Sequence, residues 1–323
     1  MQRILIAERD GFPAQAVARL KGVARVSLED LDRAGLEEAV ADADVLWVRL
    51  RHRIDRRLLD CAPRLKTLVT PTTGLNHVDT EELERRGIAL LSLRGEVEFL
   101  RDVRATAEHT IGLLLALLRQ LAPAAADTQA GGWRRDRFPG AEIYGKTVGI
   151  VGYGRLGRIV SRYLKAFEAR VIVTDPKLPD GYRDGIVEAL PLTGLLAESD
   201  IVSLHVDLNP ATRGFFTAAR FREMKWASYF LNTARGELID EAGLLAALHE
   251  GRLRGAALDV LSNETSAGMG GHPLIEYAHR HTNLLITPHV GGCTAESKTK
   301  TELFLAQKLA DLLERDAGAA LAS

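Results

Sequence analysis

Three polar residues in the second half of the chain stand just beyond apolar runs, and their types form a set suited to carbonyl chemistry. Tyr229-Phe-Leu-Asn-Thr-Ala leads to Arg235, Ala256-Ala-Leu-Asp-Val leads towards Glu264, and Leu284-Leu-Ile-Thr-Pro leads to His289. If the runs are parallel strands, all three fall on the carboxyl edge of one sheet, where open α/β sheets bind ligands. Arginine is permanently charged and its planar fork matches a carboxylate, so Arg235 could hold a 2-oxo acid and polarise its carbonyl. Imidazole titrates near neutrality, so His289 could protonate the carbonyl oxygen as charge develops on it, and act as base in the reverse direction. Glu264 beside that ring would stabilise the imidazolium and fix its orientation. Singly, each residue type is commonplace on a surface; the three on one edge describe a catalytic set.

A partner for this chemistry is encoded upstream. The apolar TVGIV is followed by Gly152-Tyr-Gly154-Arg-Leu-Gly157 and then by the helical RIVSRYLKAF. In a strand–turn–helix unit the first glycine makes the tight turn, the second lets backbone approach a pyrophosphate, and the third lets helix pack on strand. The free N–H groups and dipole of the helix N-terminus then bind the diphosphate. Asp175 ends the next apolar run, where its carboxylate can accept hydrogen bonds from ribose hydroxyls and repel a 2′-phosphate, which favours NAD over NADP. FAD and S-adenosylmethionine enzymes also use strand, glycine-rich turn and helix, so a methyltransferase is a competing class. Metal chemistry finds little support, because His205, His289 and Cys293 lack H-x-x-x-H or E-x-x-H spacing. A serine hydrolase is disfavoured by the absence of a G-x-S-x-G elbow.

The elements that must position these groups are legible as alternating apolar runs and helical segments. The runs are Ile4–Ala7, Val45–Val48, Thr67–Val69 and Ile88–Leu91, then Val148–Val151, Val171–Val173, Ile201–Leu204, Tyr229–Leu231, Ala256–Val260 and Leu284–Ile286. Near-continuous apolar strands suit parallel sheets covered on both faces by right-handed crossovers. The expected fold is α/β: two Rossmann-like, doubly wound parallel-sheet domains with a cleft between them. Residues 1–104 plus 293–323 would form a flavodoxin-like substrate-binding domain, and 105–292 a dinucleotide-binding domain. The stretch Thr106 to Leu121 is apolar nearly all round and reads as a first bridging helix buried between the bodies. Thr294 to Glu314 reads as a second, and Pro123 to Gly140 as a loop.

Composition narrows the classes further. With 323 residues, 46% hydrophobic and 26% charged, the chain is long enough for two globular domains and unlike disordered, collagenous or coiled-coil sequences. A net charge of −1 gives no general field towards nucleic acid or membrane, so neither is an expected partner. Two cysteines, Cys61 and Cys293, without a C-x-x-C pair fit a reducing, cytoplasmic setting. No signal peptide or membrane-spanning run is read.

Several motifs occur in order over nearly the whole chain: APRLKTLV with GLNHVD, ATAEHTIGLLLALLR, GKTVGIVGYGRLG, NTARGELID, GAALDV followed by Glu264, and NLLITPHVGG. In these the sequence resembles the D-isomer-specific 2-hydroxyacid dehydrogenase family. The resemblance implies that Arg235, Glu264 and His289 occupy the family's catalytic positions, that the cofactor is NAD(H) or NADP(H), that no metal is needed, and that the protein is a homodimer. It also implies that Arg155, Leu156 and Asp175 lie on the dinucleotide, Thr233 and Ala234 under it, Asp259 near the nicotinamide carboxamide, and Gly291 and Gly292 where backbone approaches the cofactor. Main-chain N–H groups of Thr73-Gly74-Leu75 would bind a substrate carboxylate. Where family members often have proline after the catalytic glutamate this chain has Thr265, and Ser266 to Gly271 add a short flexible stretch.

ITPHVGGCTAES and VRLRHR are most similar to the phosphoglycerate dehydrogenase branch, here expected without an appended regulatory domain. The Arg49, Arg51 and Arg53 cluster could supply charge for a phosphate or second carboxylate, with Arg49 and Arg51 as substrate-binding candidates. The substrate is therefore expected to be a small 2-hydroxy or 2-oxo acid such as 3-phosphoglycerate, glyoxylate or hydroxypyruvate. The same fold also serves NAD(H)-sensing corepressor-like proteins, which is the alternative reading; the complete Arg235, Glu264 and His289 set favours catalysis.

Overall fold

In the computed structural model, residues 1–264 and 268–322 are described. Thr265 and Ser266, at which the sequence departs from the family pattern, lie outside the described residues. The chain divides into two compact units, Met1–Val103 with Cys293–Ser323, and Arg104–Gly292.

The first unit is built on five strands, β1 (Arg3–Ile6), β2 (Arg25–Leu28), β3 (Val45–Trp47), β4 (Thr67–Thr70) and β5 (Ala89–Ser92). Their order is β2-β1-β3-β4-β5 and every pairing is parallel. β3 and β4 are wholly buried because helices cover both faces, which explains their unbroken apolar character. One face packs Leu36, Leu46, Leu58 and Leu68. The other packs Ile4, Ile6, Trp47 and Val69 under Leu305, Ala306 and Leu309 of the helix Ala295–Ala322. That helix brings the end of the chain back to this unit, and it also lies along the helix Ala14–Lys21.

The second unit carries seven strands, β6 (Thr147–Val151), β7 (Arg170–Thr174), β8 (Val187–Ala189), β9 (Ile201–Leu204), β10 (Ser228–Asn232), β11 (Leu253–Leu258) and β12 (Leu284–Ile286). The order is β12-β11-β10-β9-β6-β7-β8, again all parallel. Strand order reverses between β6 and β9, the switch point at which such sheets bind ligands. Both units are thus doubly wound parallel-sheet α/β structures.

Three local readings of the sequence change. The helix Ala105–Leu118 buries Ile111, Leu113, Leu114, Leu117 and Leu118 in the second unit's own core, against the helix Arg155–Ala166 and β11. Its all-round apolarity reflects coverage from several sides within one unit. Pro123 to Gly140 is not one loop, because a helix spans Leu121–Gln129 and a 3-10 turn Arg135–Arg137. Pro123 sits in the helix's first turn, where a missing N–H costs nothing, and the alanines after it favour helix. β2 and β8 are edge strands with half-exposed residues, so they lack the apolar run that marks the others. Among the described residues no single helix is long and apolar enough to cross a membrane.

Candidate active site

The glycine turn follows β6 at the switch point. Gly152 has φ +96°, and a Cβ there would lie 2.5 Å from the carbonyl oxygen of His205 beyond β9, so both conformation and space demand glycine. A Cβ on Gly157 would overlap the carbonyl oxygen of residue 152, so helix Arg155–Ala166 can sit this close only because residue 157 is glycine. Gly154, the residue before that helix, instead faces open space. The helix N-terminus is therefore open to an anion at the place where its dipole is most positive. Asp175 follows β7; its Oδ2 accepts the Tyr153 N–H at 2.9 Å and its Oδ1 the Lys177 N–H at 2.9 Å. The acid is thus tied to the turn itself. Arg155 and Leu156 are half-buried at the start of the helix. Burial, helped by Arg104, draws the Arg155 guanidinium below its usual range. An open glycine cradle, a helix N-terminus and an acid at the next strand end fit a dinucleotide.

The segment after β10 carries Thr233, Ala234 and Arg235. Buried Asn232 folds it: its Nδ2 donates to the Arg235 carbonyl at 2.8 Å and its Oδ1 accepts the Ala234 N–H at 3.0 Å. Thr233 pairs with Thr110 of the helix Ala105–Leu118 at 2.9 Å between hydroxyl oxygens. Burial lowers the pKa of Arg235, against which Glu264, Glu237 and Asp207 pull it back up. Beside it a Cβ on Gly236 would overlap the backbone of Leu261 and Ser262, the start of the segment that bears Glu264.

Glu264 and His289 meet. The imidazole Nδ1 lies 2.6 Å from Glu264 Oε2, while Glu264 Oε1 accepts the Leu261 N–H at 2.8 Å. An ionised carboxylate only accepts, so the ring hydrogen in this contact sits on Nδ1. The side chains are 22% and 35% exposed, open enough to be reached by a ligand. His289 has φ +54°, a left-handed conformation few non-glycine residues adopt, and its N–H donates to the Asp259 carbonyl at 2.8 Å.

Asp259, just past β11, organises the following loop although its carboxylate is only 1% exposed. It accepts the Thr287 hydroxyl at 2.6 Å, the Val290 N–H at 2.9 Å and the Gly291 N–H at 2.8 Å, and faces His109 Nε2 at 3.1 Å. A Cβ on Gly291 would come within 2.8 Å of Asp259 Oδ2, whereas Gly292 faces open space. His205 bonds to Ser203 at 2.9 Å, and burial lowers its pKa to about 4, so it is neutral at physiological pH. No group of side chains suited to a metal ion occurs among the described residues.

The remaining candidates lie in the first unit. Thr73-Gly74-Leu75 follow β4, and among the described residues their N–H groups make no backbone hydrogen bond. Arg49, after β3, is held by Glu302 Oε1 at 2.6 Å and by the Asp10 carbonyl at 2.7 Å, while Arg51 pairs with Asp30. Arg49 is therefore engaged within its own unit. Sequence reading missed Asn232, Gly236, His109 and Thr287. Of these only Gly236, in the run Arg-Gly-Glu, carries a local signal.

A family model described as D-isomer specific 2-hydroxyacid dehydrogenase, NAD binding domain, matches residues 111–291. The D-3-phosphoglycerate dehydrogenase of Mycobacterium leprae is 35% identical over 86% of this chain and 51% of its own length. The chain thus spans about half the length of that curated relative. The glyoxylate reductase of Thermofilum pendens is 34% identical over 90% of this chain and 84% of its own. Among solved structures, a Thermus thermophilus protein superposes with a TM-score of 0.82 at 34% identity, covering 97% of each chain. Family match, relatives and fold agree, and the chain belongs to the D-isomer-specific 2-hydroxyacid dehydrogenase family.

Proposed function

We propose that this protein is an NAD-dependent oxidoreductase that interconverts a small D-2-hydroxy acid and its 2-oxo acid. The observation that carries the reading is the 2.6 Å contact of His289 Nδ1 with Glu264 on the sheet edge that also bears the glycine turn. Gly152, Gly154, Arg155, Leu156 and Gly157 would hold the diphosphate of NAD and Asp175 the adenosine ribose. Thr233, Ala234, Asp259, Gly291 and Gly292 would border the nicotinamide half. When bound, NAD donates or accepts the hydride.

The chain's own residues do the rest. Arg235, whose charge is partly desolvated, binds the substrate carboxylate and polarises the neighbouring carbonyl. His289 Nε2 delivers a proton to the oxygen as it becomes an alkoxide, and withdraws it in the oxidative direction. Glu264 accepts the Nδ1 hydrogen, which aims the ring and stabilises the imidazolium that proton transfer consumes or creates. The free N–H groups of Thr73, Gly74 and Leu75 add donors for the carboxylate, and Arg51 reads a distal phosphate or second carboxylate. The likeness to phosphoglycerate dehydrogenase and glyoxylate reductase supports 3-phosphoglycerate, glyoxylate and hydroxypyruvate as the substrates to try. A homodimer in a reducing compartment is part of the same reading.

The test follows NADH absorbance with glyoxylate, hydroxypyruvate, pyruvate and phosphohydroxypyruvate in parallel, with His289→Ala as control. Turnover of one acid, reduced by about 100-fold or more in the variant, is expected for loss of a general acid. NADH binding without turnover of any acid would replace this reading with a dinucleotide sensor. An Arg51→Ala variant with unchanged KM for the preferred acid would remove Arg51 from the site.

A further inference from the structure

Glu241 opens the helix Glu241–His249, and the mechanism above makes no use of it. Its Oε1 accepts the Ser262 N–H at 2.7 Å, and its Oε2 lies 3.3 Å from His272 Nε2. Ser262 is the first residue after Leu261, whose own N–H is bound by Glu264. His272 caps the helix Pro273–Ala278, its ring nitrogen accepting the Leu274 N–H at 3.3 Å. One carboxylate therefore holds both Ser262, two residues before Glu264, and His272, at the start of the next helix. The grip is shielded, since the Glu241 and His272 side chains are 19% and 15% exposed. The Glu241 backbone is fixed in turn, because Asp240 caps the helix by accepting the Gly243 N–H at 3.0 Å.

We infer that Glu241 is a positioning residue: by tying Ser262 to His272 it holds Glu264 at bonding distance from His289. The inference rests on the catalytic roles proposed for Glu264 and His289. Without the tie at Ser262 the backbone two residues before Glu264 has many more conformations, and few of them place its carboxylate 2.6 Å from the His289 ring nitrogen. A displacement of about 1 Å at such a contact can cost about 100-fold in rate. Glu241 touches no reacting atom, so its effect must pass through Glu264.

The experiment compares Glu241→Ala, Glu241→Gln, His272→Ala, Glu264→Gln and the double variant Glu241→Ala/Glu264→Gln in the full chain, with glyoxylate and NADH. Glu241→Ala is expected to lower kcat by about tenfold or more, to leave the Kd for NADH unchanged, and to move the pH profile of kcat/KM in the same direction as Glu264→Gln. Hydrogen exchange of the Leu261 and Ser262 amides should quicken. Glu241→Gln keeps an oxygen for the Ser262 N–H and should recover most of the rate and the protection, and His272→Ala should fall between. In the double variant the Glu241 change should cost nothing further, as expected of residues acting as a unit. If Glu264→Gln lowers turnover but Glu241→Ala leaves the pH profile unmoved, or the two effects multiply, the inference is overturned and the catalytic reading stands. If Glu264→Gln itself leaves turnover unchanged, the catalytic reading fails, and the positioning role with it, whatever Glu241→Ala does. Should Glu241→Ala not fold, the Glu241→Gln and His272→Ala pair decides by the same measurements.

Discussion

At the scale of single residues, the site depends on one missing side chain as much as on those present. Gly236 follows Arg235, and any Cβ there would overlap the backbone of Leu261 and Ser262, which is rigid compared with the end of a side chain. Gly236→Ala must therefore push the Arg235 segment away from the Glu264 segment. The expected result is a loss of kcat/KM of about 100-fold and a loss of stability of about 1–3 kcal/mol, the usual cost of overpacking. The Kd for NADH should change much less, because the glycine turn lies elsewhere on the sheet edge. Steady-state kinetics and urea unfolding of the variant check this, and near-normal kcat/KM would show that the two segments need not touch. Such a residue is hard to find in a sequence. Arg235, Glu264 and His289 were legible because each follows an apolar run, so the fold class alone puts them on one edge. Gly236 and Glu241 act on the Leu261–Ser262 backbone further along the chain, and although Gly236 stands out beside Arg235, nothing local announces which segment it meets; Asn232 acts locally, on Ala234 and Arg235, but its type alone gives no sign of it.

At the scale of elements, strands with unbroken apolar runs were read, the edge strands β5 and β12 among them, and the edge strands β2 and β8, which mix polar with apolar residues, were not. The C-terminal helix was legible as a helix, but the ionisable group it buries had no sequence signal. Glu302 of that helix is 1% exposed and bonds Arg49 beyond β3, while Glu8 beyond β1 accepts the Arg49 N–H at 2.7 Å. Two carboxyl groups thus meet one arginine at the switch point of the five-stranded sheet, Glu302 at its guanidinium and Glu8 at its backbone N–H. Burial raises Glu302 to about 7, with Glu8 adding to the rise and Arg49 and the Trp47 indole opposing it; burial raises Glu8 as well. A folded value above the unfolded one means that the native state holds its proton more tightly. The contribution is then fully present below about pH 4.5 and is lost as pH rises through about 7. For a shift of this size that is roughly 3 kcal/mol. Glu302→Gln keeps an oxygen for Arg49 but cannot titrate, so the decline in unfolding free energy between pH 5 and pH 8 should be shallower than in the parent. Equal slopes in urea titrations at the two ends of that range would show that Glu302 is already ionised throughout.

At the scale of the whole molecule, the expected homodimer needs a surface, and the most apolar helix of the chain does not supply it. The apolar stripe of Ala105–Leu118 is consumed within its own unit, leaving no broad apolar face for a second copy. Large apolar side chains are exposed instead in the segment that follows: Leu121, Tyr144 and Trp133, the last 88% exposed. Isolated exposed apolar residues are ordinary, but three within one short stretch of chain, two of them aromatic, have the composition of an interface core. The association is therefore expected to run through residues 121–144, where burying each aromatic ring removes roughly 150–250 Å² from water. Light scattering of the purified chain should give twice the monomer mass at micromolar concentration. Trp133→Ser with Tyr144→Ser should move the equilibrium to monomer without changing the melting behaviour of either unit's core, since neither side chain packs into it. A dimer that survives both substitutions would place the contact on another face, and a monomeric parent would remove the homodimer from the proposal. Because Arg235, Glu264 and His289 all belong to one chain's own unit, the monomeric variant should still bind NADH, which separates loss of association from loss of the site.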